Sequence, residues 1–142
     1  MKCSLLVIVA LGLGITTVSA QDPIAERRAL MKAVGAQSAQ GAKFMKGEEK
    51  FDLAKAKNIF AVWSDAAVKA ATLFPENSKT GDTRSLPAIW EKMDDFKAKL
   101  AKFGADAKAA QEKVTDEASF KATFPEVAKN CGGCHQSYRK PQ

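Results

Sequence analysis

Three features of the sequence predict an all-α protein folded as an antiparallel four-helix bundle. The chain is rich in alanine and lysine, residue types that favour helix. Apolar side chains recur at three- and four-residue spacing through four separate segments. Proline and glycine are sparse and fall mostly between those segments. Four amphipathic segments joined by short connections bury their stripes best by packing side by side.

The helices follow a leader. Lys2 gives residues 1–20 a positive start, Leu5 to Ile15 is apolar, and Val18-Ser19-Ala20 ends in small residues. That pattern reads as a secretory signal cleaved after Ala20, too short and too glycine-interrupted to span a membrane. Residues 21–142 then form one domain, large enough for a single core.

The first helix is expected from Asp22-Pro23, a cap followed by proline at the first helical position, to about Lys46. Ile24, Met31, Ser38, Ala42 and Met45 share a face, with Arg27, Val34 and Gly35 beside them. The second helix starts at Asp52 and is expected to stop just before Pro75, carrying Leu53, Ala56, Phe60, Trp63, Ala67, Ala70 and Phe74 as its stripe. A polar loop from Asn77 to Arg84 follows. The third helix has Ser85 as cap and Pro87 in its first turn, with a stripe from Ile89 through Met93, Phe96, Leu100, Phe103 and Ala107 to Val114; Gly104 is expected to weaken it midway. The fourth begins near Thr115-Asp116 and carries Phe120, Phe124, Val127, Cys131, Cys134 and Tyr138; Pro125 is expected to kink or divide it.

The net charge is +6, and cleavage of the leader removes Lys2 and lowers it by one. Basic residues are spread along the helices without interleaved exposed aromatics, which argues against nucleic-acid binding. There is no glycine-rich phosphate loop, no nucleophile–base pair and no second histidine to act as a distal base, so the chain does not read as an enzyme.

Chemistry concentrates in Cys131-Gly132-Gly133-Cys134-His135. Cys-x-x-Cys-His is the attachment signature of c-type haem. On a helix, residues three and four apart share a side, so both thiols and the imidazole face one porphyrin. The cysteines form two thioethers to a single haem c, and His135, the one histidine of the chain, takes the proximal axial position on iron. Zinc is the chemical rival, but it wants four ligands and these residues supply three. A thioredoxin-like motif belongs with strands, and none is expected. Cleavage also removes Cys3, so haem attachment consumes both remaining thiols of an exported chain.

The leader, the four helices and this motif resemble the class II c-type cytochromes, the cytochrome c prime family. Further matching stretches are Arg27 to Lys32, Pro87 to Trp90, and Cys131 to Arg139 with its Tyr138-Arg139 ending. The resemblance covers essentially the whole chain after the leader. It implies a monohaem protein of the periplasm of a Gram-negative bacterium, often a homodimer through its first two helices. In one branch the iron keeps five ligands and binds nitric oxide or carbon monoxide. In the low-spin cytochrome c-556 branch a first-helix methionine is the sixth ligand, and this chain is closest to that branch. Met31 stands where that methionine would be. Some five-coordinate members also carry a methionine four residues after the first-helix arginine, as in Arg27 to Met31.

A soft thioether suits haem iron opposite histidine and raises the reduction potential, so Met31 is the expected distal axial ligand. Met45 and Met93 are placed as packing residues. Arg27, or Arg28 beside it, matches haem propionate geometry, and the resemblance favours Arg27. The resemblance also sets Arg139 beside the proximal haem face. Trp63 and Trp90 are expected to pack, and Tyr138 to lie against the haem or close the core. The function this predicts is one-electron transfer between periplasmic redox partner proteins, with nitric oxide or carbon monoxide binding as the alternative and no membrane contact once the leader is removed.

Overall fold

A computed structural model of the chain describes residues 22–141. The leader predicted over residues 1–20 lies outside the described residues. Among those described, no helix is long and apolar enough to cross a membrane.

Four long helices form the bundle: α1 (Pro23–Lys46), α2 (Leu53–Ala70), α4 (Met93–Lys113) and α5 (Glu117–Tyr138), with a short α3 (Ala88–Glu91) leading into α4. Their starts follow local chemistry. Asp22 accepts from the Ile24 amide, with Pro23 opening the helix. Asp52 accepts from the Lys55 amide. Asp116 and Ser119 form a capping box at α5, which holds the Asp116 carboxyl below its ordinary range through bonds from Ser119. Gly47 ends α1 in the left-handed conformation at φ 70°. The principal packing is α2 against α4, with α1 on α2 and α5 on α4.

The larger core cluster is aromatic. Trp63, Phe44, Phe60 and Phe120 are fully buried, and the Trp63 and Phe124 rings stand 5.3 Å apart. A smaller cluster joins Ala70, Ile89, Phe96, Leu100 and Tyr138, with Cys134 packed against it. At Gly41 α1 lies directly against Phe124 of α5: a Cβ there would overlap three ring carbons of Phe124. Phe124 is itself wedged among Phe60, Trp63 and Phe120 and has no room to yield. Gly41→Ala is therefore expected to destabilise the fold by about 1–3 kcal/mol from overpacking. That outweighs the gain of up to about 1 kcal/mol in helix propensity. A lower denaturant midpoint with unchanged slope checks it.

Four expectations need correction. The second helix ends at Ala70, short of Pro75. Carbonyls beyond it are drawn sideways by side chains: Arg27 donates to Leu73 O at 2.7 Å, and Trp90 Nε1 to Phe74 O at 3.0 Å. Asn77 and Ser78 of the expected loop belong to a 3-10 turn, Glu76–Ser78. The third helix breaks at Lys92 (φ −129°, ψ 46°), not at Gly104, and Asp94 and Asp95 then occupy the first turn of α4, where acidic groups favour a new helix start. Gly104 is buried against Ala67 and lets α4 approach α2. The last helix runs through Pro125 as one element. On α1 the buried residues are Arg27, Val34, Gly41 and Phe44, so the face of Ile24, Met31 and Ser38 is left for another purpose.

Candidate cofactor-binding site

That face lines a cavity of about 610 Å³, a size that suits a bound cofactor. Its walls come mainly from α1, α4, α5 and the segment 82–85, with Ala70 of α2, Phe74 and Ile89 of α3 completing them. Cys131, Cys134 and His135 line it from α5, and Met31 from α1. The structure thus brings Met31 to a motif that begins 100 positions later in the sequence. Leu30, Val34, Phe74, Phe96, Leu100 and Phe103 make the walls largely apolar.

Both cysteines are free and half-buried, and burial pushes their thiols up. Gly132 and Gly133 between them are exposed, with open space where a side chain would stand. Burial, then the charges of Arg139 and Arg84, push the His135 imidazole down. It is therefore neutral at neutral pH, the form in which histidine ligates metal.

Met31 is 40 % exposed, unlike a methionine packed in a core. Met45 and Met93 pack against the larger and smaller clusters respectively and lie outside the cavity lining. Trp63 is in the core and donates to Val34 O at 3.3 Å, while Trp90 braces the turn at Phe74. Tyr138 is buried, lines the cavity and donates its hydroxyl to Asp95. That bond pushes the Tyr138 hydroxyl up to about 12 and holds the Asp95 carboxyl down.

Arg27 is only 6 % exposed. Its guanidinium donates to Leu73 O and Ser78 Oγ at 2.7 Å, to Ser78 O at 3.0 Å and to Thr83 Oγ1 at 3.4 Å, and lies 4.5 Å from the centre of the Phe74 ring. All four acceptors are neutral. Buried charges ordinarily have a charged partner, and among the described residues no carboxylate bonds this one. Arg28 lines the same cavity and is paired with Asp82. Arg139 also reaches it, and its amide donates to His135 O at 3.2 Å.

The arrangement suits an iron porphyrin. Among the described residues no three His, Cys, Asp or Glu side chains gather as a metal cluster. A protein-only zinc site needs four such ligands, whereas haem iron takes four of its own from the ring. The thiols stand one helical turn apart at the wall, an imidazole follows, and a buried cation, near the Asp22 carboxylate but hydrogen-bonded only to neutral acceptors, suits an acidic substituent. Sequence reasoning missed Arg84, Asp95 and Lys99. Arg84 sits in a connection, where periodicity gives no signal, and it reaches the site through long-range pairing.

A family profile described as Cytochrome C' matches residues 22–139. The chain is 43 % identical over 133 residues to cytochrome c' of Rhodopseudomonas palustris, covering 93 % of this chain and 90 % of that one. It is 39 % identical over 123 residues to cytochrome c-556 of Agrobacterium fabrum, covering 86 % and 84 %. The solved structure of Rhodopseudomonas palustris cytochrome c' superposes with a TM-score of 0.83 at 42 % identity, over 87 % of this chain and 99 % of that one. This chain, a four-helix bundle bearing one covalently attached haem c, belongs to the cytochrome c' family.

Proposed function

We propose that the protein is an exported one-electron carrier whose haem iron is held between His135 and Met31. The observation that carries this reading is the position of Met31, on the wall of the cavity that also holds Cys131, Cys134 and His135, with its thioether out of the packed core. The haem supplies the electron-accepting iron. Cys131 and Cys134 each add a thiol across a porphyrin vinyl group and fix the ring to α5. His135 donates its neutral nitrogen pair. The Met31 thioether, a soft donor, favours the reduced state and raises the potential. Apolar walls from Phe74, Phe96 and Phe103 keep water away. Arg27 offers its buried positive charge to a propionate, which would give it a charged hydrogen-bond partner. Cleavage after Ala20 delivers residues 21–142 to the periplasm, where the partners are other redox proteins. Leu53 and Val68, exposed on α2, supply apolar surface for a homodimer.

A second reading is the binding of nitric oxide or carbon monoxide at an open distal position. Gly35 favours it: one helical turn beyond Met31, it lines the cavity and has nothing within 4 Å of where a side chain would start. The discriminating experiment is the optical spectrum of the ferrous protein with and without carbon monoxide. The His/Met reading expects a sharp low-spin spectrum that the gas leaves unchanged. A high-spin spectrum that shifts on adding the gas would establish the second reading instead.

A further inference from the structure

We propose that Arg84 is an electrostatic tuning residue for the cofactor, its side chain held at the wall of the cavity that His135 also lines so as to raise the reduction potential of the bound haem. The inference deepens the electron-carrier reading and rests on it.

Arg84 lies in the connection between α2 and α3, far from His135 in sequence. Two chain segments bring them together. Ser85 and Arg139 form an antiparallel bridge, the Leu86 amide donates to Tyr138 O at 3.0 Å, and the Lys140 amide donates to Arg84 O at 2.8 Å. These are main-chain bonds, so the pairing survives a change of side chain at position 84. The Arg84 side chain adds its own bond, Nη2 to Lys140 O at 2.8 Å, which restrains the guanidinium. Arg84, Arg139 and His135 all line the cavity.

The charge at this wall is not cancelled locally. Asp82 is paired with Arg28, and Asp95 binds the Tyr138 hydroxyl and lies 3.5 Å from Lys99. Neither Arg84 nor Arg139 forms an ion pair among the described residues. The Ser85–Arg139 bridge sets Arg84 and Arg139 together at the end of α5 that carries His135. Reduction brings one electron from a redox partner or an electrode onto the cofactor and removes one unit of positive charge from it. A fixed cation therefore favours the reduced side, by an amount that solvent screens at the exposed Arg84.

The test is spectroelectrochemistry of the haem-loaded protein and three variants: Arg84→Gln, Arg84→Lys and Lys108→Gln. Lys108 is exposed on α4 outside the cavity lining and controls for net charge. R84Q is expected to lower the midpoint potential, reducing the ferrous-to-ferric ratio at fixed applied potential by roughly two- to tenfold. R84K and K108Q are expected to stay near the parent. The proposal is overturned if R84Q matches the parent. It is also overturned if R84K falls as far as R84Q, which would make the bond to Lys140 O the cause, or if K108Q falls equally, which would make it total charge. Optical spectra of the same samples report iron ligation separately. A five-coordinate parent sinks the electron-carrier reading, while the order of potentials still decides the role of Arg84.

Discussion

Met31→Ala is expected to convert a low-spin protein that ignores carbon monoxide into a high-spin protein that binds it at once. Removing the thioether opens the sixth position without touching the anchors on α5. If the native distal site is open about 1 % of the time, the gas binds about 100-fold more weakly than to a permanently open site. The variant should recover that factor in a carbon monoxide titration. The reduction potential should fall as well, since a His/Met pair favours ferrous iron more than histidine alone. A spectrum unchanged by the substitution would remove Met31 from the iron and transfer the argument to the open space at Gly35.

Replacing both Cys131 and Cys134 by alanine is expected to abolish covalent retention of haem: the chromophore should separate from the polypeptide under acid or denaturant. Single variants should keep it through the remaining thioether. Folding should suffer too. The cavity of about 610 Å³ opens to solvent and is walled largely by apolar side chains, which lose their cover when the ring is absent. The double variant is therefore expected to show a lower thermal midpoint and reduced helicity, read by circular dichroism. A double variant that retains haem through denaturation would overturn the assignment of both thiols.

Long-range acceptors account for most of what periodicity misplaced. The stripes of α2, α4 and α5 were legible because Phe60, Trp63, Leu100, Ala107, Phe120 and Val127 repeat with helical spacing and are indeed buried. The end of α2 was not, because the Leu73 and Phe74 carbonyls answer to Arg27 and Trp90, partners that no local pattern discloses. Pro125 does not divide the last helix, since packing along the whole element overrides one missing donor. On α1 the apolar periodicity of Ile24, Met31 and Ser38 was visible, but a core face and a cofactor face look alike in sequence. The haem motif was legible as a motif. The contribution of Arg84, by contrast, depends on an antiparallel bridge between two segments that carry no strand signal.

The half-burial of the cysteines bears on how the protein matures. Thiols pushed up by burial are poor nucleophiles at neutral pH, because only the thiolate attacks. A folded but unloaded bundle in an oxidising compartment would thus be slow to close Cys131 and Cys134 into a disulfide. The same burial keeps both sulfurs at the cavity wall as thiols, the reduced form in which each can add across a porphyrin vinyl group.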